Sequence, residues 1–222
     1  MDWTAFKLSL WLSLCTTVIL LIIGLVVARA LAWRHFPGKS LIEAVVALPL
    51  ILPPTVLGYY LLTLFGRNTF LGQHFEDLTG HTLVFSFTGL LLASVIYSLP
   101  FTVQPMLRAF EAIPGSLREA AWCSGLNHWS TFRHVELPLA RPGILTGAVL
   151  TFAHTMGEFG VVLMVGGNIP GETRTISIAI FDSTQAFDMQ SANTMSMVLL
   201  VFAFVTVSLV YILNRRHSHI VV

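Results

Sequence analysis

Three places in the chain carry residue types able to do chemistry. Residues 166–173 read Gly-Gly-Asn-Ile-Pro-Gly-Glu-Thr, one residue away from a phosphate-binding loop. Glu172 stands where that loop needs a lysine, and a carboxylate there repels the phosphates the lysine would hold. The segment also follows an apolar helix rather than a strand, so it is a decoy. The chain has no ATPase machinery, and an energised transporter would need a separate nucleotide-binding subunit. His154 and Glu158 are four apart, on one face of an expected helix and within hydrogen-bonding reach. Three readings stand for the pair: a structural hydrogen bond, a place in a pathway or gate, or a metal site. Against the metal, no Glu-x-x-His pairs lie on other helices and no His-Glu-x-x-His occurs. Gly157 and Gly160 flank the acid, so the helix there can bend or approach a neighbour. An ionisable residue at membrane depth faces the bundle or a water-filled path. Cys15 and Cys123 have neither metal nor redox spacing and read as packing residues. No nucleophile–base constellation can be placed at one membrane depth, so the chain reads as a non-enzyme.

The elements that must position these residues are membrane spans. The chain has 222 residues, 55% hydrophobic and 10% charged, with mean hydropathy +0.78. Soluble domains carry about 25% charged residues. The expected fold is an all-α polytopic membrane bundle of about five transmembrane helices in one domain, 1–222. The spans are expected at 8–32, 44–65, 82–107, 142–165 and 195–213. Ala28, Ala30 and Ala32 imitate a signal-cleavage site, but no basic residues lead in and the apolar run is too long, so this is a retained first span. Pro49, Pro53 and Pro54 interrupt the second, which is expected to be kinked or partly unwound. That break is either a simple kink or a lining of the pathway. Pro100 and Pro105 lie near the end of the third. Residues 66–81 form a polar loop, and 166–193 a turn-rich segment with a short amphipathic helix near 176–181. Arg67 and Arg174 in these loops read as solvated residues, as attractors of an anion, or as partners for an acid of another protein.

Basic residues choose the orientation. Arg29, Arg34, Lys39, Arg108, Arg118, Arg133, Arg141, Arg215 and Arg216 fall on one side; Lys7, Arg67 and Arg174 fall on the other. The positive-inside rule then puts the C-terminus in the cytoplasm and the N-terminus outside. A net charge of +1 gives no reason to expect nucleic acid.

Between the third and fourth spans, residues 108–141 form a polar cytoplasmic loop. Its segment 119–138 is expected to fold as a helix–turn–helix elbow. Glu119 to Ser124 is helix-forming, with an acid near the helix start. Gly125 supplies a left-handed stop, and Asn127 caps a second short helix through Trp129, Phe132 and Val135. Pro138 and Pro142 are expected to end that helix and open the next span. An apolar stripe of Trp122, Leu126, Trp129, Phe132 and Val135 can pack on its own bundle or press into a groove of another protein.

The spacing of Glu119-Ala120-Ala121, Gly125, Val135 and Leu137-Pro138 resembles the signature loop of bacterial ABC-importer permeases. Val135 stands where that family more often has Ile. Further segments resemble the molybdate-importer branch: Phe36-Pro37-Gly38-Lys39, Leu48-Pro49, Leu52-Pro53-Pro54, Gly157-Glu158-Phe159-Gly160, and Asn168 through Thr175. The Gly-Glu-Phe-Gly element is shared with sulfate permeases. The resemblance implies a homodimer in the bacterial inner membrane, two ABC ATPase subunits that bind the ATP, and a periplasmic molybdate-binding protein. The elbow would be the coupling helix that docks on the ATPase. The pathway would follow the dimer axis, with Pro53, Pro54, His154, Gly157, Glu158 and Gly160 as pathway or gate candidates. No metal or cofactor of the chain's own is expected. Tungstate and sulfate remain alternative cargoes, and an ATP-independent anion channel is the alternative of a different class.

Overall fold

The computed structural model describes residues 1–34 and 36–218, with side chains described through Ser208 and at Ile212. Every regular element among the described residues is helical. Helix α1 (Trp3–Trp33) starts earlier than expected because the Asp2 carboxylate accepts the Ala5 N–H at 2.9 Å and caps it. The stretch expected as one span at 44–65 is two helices, α2 (Lys39–Ile51) and α3 (Pro54–Leu64), bent by 111°. Pro53 drives Leu52 into the extended region, and Pro54 opens α3 at the position that needs no N–H. The polar loop at 66–81 contains a helix, α4 (Phe70–Thr79), capped by Thr69 and stopped by Gly80. Arg67 pairs with Glu76 there at 2.6 Å.

Helix α5 (Phe87–Glu111) begins at the Ser86 cap rather than at 82 and carries Pro100 and Pro105 in its interior. The elbow follows as α6 (Gly115–Cys123) and α7 (His128–Thr131). A π-helical turn, Phe132–Glu136, then leads directly into α8 (Leu137–Gly157). Pro138 and Pro142 therefore do not separate the elbow from the fourth span. The wide turn closes with the Leu137 N–H on the Phe132 carbonyl, Pro138 enters in the first turn of α8, and Pro142 is carried inside it. After a break at Glu158 and Phe159 come α9 (Gly160–Gly166), α10 (Ile176–Gln185) and α11 (Met189–Ser218). The side chains of Arg215 and Arg216 at its end lie outside the described residues.

Among the described residues three helices are long and apolar enough to cross a membrane, and up to five spans result if each bent pair is one crossing. The centre is the packing of α1, α5 and α8 around Ala28, Leu31, Met106, Phe110 and Ala140. In lipid such packing depends on close approach rather than on a hydrophobic drive between helices. Gly147 provides it: a Cβ there would stand 2.9 Å from the Thr102 carbonyl oxygen. A second cluster joins α3, α5 and α9 through Leu61, Phe65, Ala93, Val161 and Val165. The N-terminal part of α1 holds α10, since the Ser9 hydroxyl accepts the Ile176 N–H at 2.8 Å. Lys7, His81 and Glu172 line one cleft, so the start of α1 and the loops around 81 and 172 share an end of the bundle. The opposite end carries Arg29, Arg118 and the elbow. Leu200, Phe204 and Val205 leave α11 exposed along an apolar face.

Candidate functional site

The elbow forms for local reasons. Gly125 has φ +83°, open space around its Cα, and gives its N–H to Trp122 at 2.9 Å, while Leu126 reaches back to Ala121 at 3.0 Å. This pair of bonds is the left-handed helix stop that glycine favours. Asn127 then caps α7 by accepting the Ser130 N–H at 2.8 Å. The helix before the turn starts at Gly115, so Glu119 lies past its first turn and gains nothing from the dipole. Glu119, Ala120 and Gly125 are exposed, Ala121 is buried, and Val135, Leu137 and Pro138 are half-buried. The expected single apolar stripe is split. Phe132 turns into the core while Trp122 and Trp129 stay exposed.

What ties the elbow to the bundle is a residue that sequence reasoning passed over. Glu136 is fully buried, and its carboxylate accepts from Arg29 Nε at 2.6 Å and from Arg118 Nε at 2.9 Å. Arg29 belongs to α1 and Arg118 to α6, so one carboxylate clamps the first span, the first elbow helix and the root of α8. The Arg118 guanidinium also lies 3.9 Å from the Trp33 ring centre and 5.0 Å from that of Trp122, and Arg29 lies 4.9 Å from that of Phe132. The one signal in the sequence is an acid next to Leu137-Pro138, three residues after Arg133. Its partners stand 107 and 18 residues away.

From His128 to Gly157 the chain is one helical run, bent by 62° from α9 at the Glu158-Phe159 break. That break lies against the other broken span. A Cβ on Gly160 would stand 2.7 Å from the Pro54 side chain, and one on Gly58 would stand 2.8 Å from Met164. Pro53 and Pro54 are exposed, as is Gly157. The structure thus brings together Pro54 and Gly160 but does not join His154 to Glu158. Because the helix ends at Gly157, Glu158 is extended and leaves the face that carries His154. Each turns instead to a serine of α5. Ser94 donates to Glu158 Oε2 at 3.3 Å, while the Ser98 hydroxyl lies 3.1 Å from His154 Nδ1 and 3.0 Å from the Thr155 hydroxyl. One turn further, Thr102 and Thr151 bond to each other. The other oxygen of Glu158 is buried with no hydrogen-bond partner among the described residues. Phe101 stacks on His154, with ring centres 3.9 Å apart. This polar ladder between α5 and α8 was hidden in the sequence as ordinary serines and threonines of apolar spans. No group of three or more metal-ligating side chains occurs among the described residues.

The near-phosphate loop is closed on itself. The Ile169 carbonyl accepts the N–H groups of Glu172, Thr173 and Arg174, and Arg174 pairs with Asp182, which also accepts from Asn168 at 2.7 Å. Neither Arg67 nor Arg174 is a free anion attractor, since Arg67 is held by Glu76.

Comparison with known proteins places this architecture. The chain is 48% identical over 214 residues to the molybdenum transport system permease protein ModB of Azotobacter vinelandii, covering 96% of this chain and 95% of that one. It is 41% identical over 184 residues to the protein of the same name from Escherichia coli K12, covering 83% and 80%. A bacterial alginate ABC transporter, solved in complex with an alginate pentasaccharide-bound periplasmic protein, shares the fold with TM-score 0.76 at 18% identity, over 96% of this chain and 78% of that one. The model of the family described as the binding-protein-dependent transport system inner membrane component matches residues 10–219, and the chain belongs to that family.

Proposed function

We propose that this chain is the permease subunit of an ATP-driven, binding-protein-dependent importer of molybdate in the bacterial inner membrane. The observation that carries the mechanism is the unbroken run from the elbow to the Glu158 break. His128 to Gly157 is 30 residues, roughly 45 Å at 1.5 Å per residue. Motion applied to the elbow is delivered at the contact of Gly160 with Pro54, where two broken spans meet. The exposed Glu119-Ala120 edge and Gly125 turn offer the docking surface, and the Glu136 clamp makes the elbow move with α1 and α8 rather than swing alone. ATP is bound and hydrolysed by two copies of a separate ABC subunit beneath a homodimer of this chain. A periplasmic molybdate-binding protein delivers the oxyanion from the opposite side, as the alginate transporter's periplasmic protein meets that importer. The N-terminus is then periplasmic and the C-terminus cytoplasmic. Among the described residues the buried polar side chains are Ser and Thr hydroxyls and two acids, Glu136 and Glu158, and no Lys or Arg is buried. With no buried cation to hold an oxyanion, the spans suit low-affinity passage, with selectivity supplied by the binding protein.

The test is ATP hydrolysis by the reconstituted permease–ATPase assembly, with binding protein loaded in turn with molybdate, tungstate or sulfate. Stimulation by the molybdate-loaded protein is expected. Stimulation by the sulfate-loaded protein alone would keep the mechanism and overturn the cargo.

A further inference from the structure

At the elbow end, the outer face of α1 and the start of α8 enclose a groove of about 1020 Å³. Its walls are apolar, with Leu21, Leu25 and Val26 from α1 facing Phe132 and Ile144. Val26 is 66% exposed on a membrane span, so the groove opens to whatever surrounds the protein at that depth. About two turns along α1 the surface becomes charged: Arg29, Arg34 and Arg118 line the same groove. Three guanidinium groups line the groove and one carboxylate, Glu136, pairs with two of them, Arg29 and Arg118, which leaves a local charge of +2 (three minus one). Arg34 is exposed and has no carboxylate partner among the described residues. Trp129 stands at the rim, 67% exposed, the kind of side chain that settles at the headgroup level of a bilayer.

We propose that this groove holds one anionic phospholipid of the leaflet on the elbow side. Its acyl chains lie along Leu21, Leu25 and Val26, and its phosphate meets Arg34 and the exposed edge of Arg29. A mostly apolar trough with a cationic head at one end suits an amphiphile carrying negative charge. It suits neither a free oxyanion, which has no use for the trough, nor a lipid without net charge, which leaves the excess positive charge uncompensated. Basic pockets between helices at the membrane surface take lipid headgroups by this chemistry. The Gly160–Pro54 contact, the Glu119-Ala120 edge and the Gly125 turn do not line the groove, although Arg118, His128 and Trp129 of the elbow helices do.

The experiment is native mass spectrometry of the full-length chain purified in detergent, with phosphatidylglycerol and phosphatidylcholine of matched chains as probes. Phosphatidylglycerol should be retained about tenfold more strongly, because both lipids offer a phosphate but only phosphatidylcholine brings a trimethylammonium that cancels its charge beside the arginines. Arg34→Gln, at an exposed and unpaired position, should lower that preference severalfold. Val26→Trp, which fills the trough without touching the charge, should lower retention of both lipids. Equal retention of the two lipids, or an undiminished preference in Arg34→Gln, would overturn the proposal. So would a Val26→Trp protein that changes its oligomeric state while keeping its lipid, because the groove would then belong to a second copy of the chain.

Discussion

Glu136 carries a full charge into a place where an unpaired carboxylate would be very expensive, and two arginines meet it there. Removing one partner of a buried pair typically costs about 3–5 kcal/mol, because the remaining charge is left without compensation. Glu136→Ala should fall near the lower end, about 3 kcal/mol, since the Arg29 side chain is 34% exposed and can turn to water. A thermal melt of the purified chain reads this. The matched control is Glu76→Ala, which breaks an ion pair whose arginine is 65% exposed and should cost under about 1 kcal/mol. Equal losses in the two proteins would mean that the clamp holds nothing. Glu158 is a different case. Its carboxylate points at Ser94 of α5 and is 5% exposed, so it sits within the packing rather than on an open wall. A glutamine keeps an oxygen for Ser94 to bond, and Glu158→Gln is therefore expected to assemble and to transport. An assembled protein that has lost uptake would instead assign Glu158 to the pathway.

At the scale of elements, the elbow was legible because its signals are local. Gly125 and Asn127 act within three residues of themselves, and both do what their residue types imply. The run through Pro138 and Pro142 was not legible, because proline ordinarily ends a helix. Here a π turn absorbs the first, and the membrane bundle carries the second within α8. His154 and Glu158 were misplaced for the opposite reason. Spacing of four implies one face only if the helix continues, and this one stops between them. The bent second span was readable from its prolines, but its meeting with the Glu158 break depends on Gly58 and Gly160, whose role is set by neighbours far along the chain. Gly125→Val tests the elbow directly. A β-branched residue at φ +83° is strained by roughly 1–3 kcal/mol, enough to reshape a turn without unfolding the spans. The bundle should remain folded, while ATP hydrolysis no longer drives uptake or the ATPase no longer copurifies. Normal coupled uptake would count against docking through this turn.

For the whole molecule, the decisive property is that its two ends are chemically unlike. One holds the elbow and the Arg29–Glu136–Arg118 clamp; the other holds Lys7, the closed loop at 168–174 and α10. The span pattern and the asymmetry of basic residues were readable because hydropathy and charge act over whole segments. The Glu136 clamp and the polar ladder were not, since each joins side chains from different spans. Orientation has a direct check. Cys123 is exposed on the elbow, whereas Cys15 lies half-buried in α1. In a Cys15→Ser protein, a membrane-impermeant thiol reagent should label inside-out vesicles and spare right-side-out ones; the reverse pattern would invert the topology.

If the elbow is the coupling element, transport obeys ATP. The test is uptake of labelled molybdate into liposomes holding the permease and its ATPase, with loaded binding protein outside and either ATP or a non-hydrolysable analogue within. Accumulation against the gradient with ATP, and none with the analogue, is the expected result. Equal flux under both conditions would mean that the elbow does not couple transport to ATP and that the chain is a passive channel.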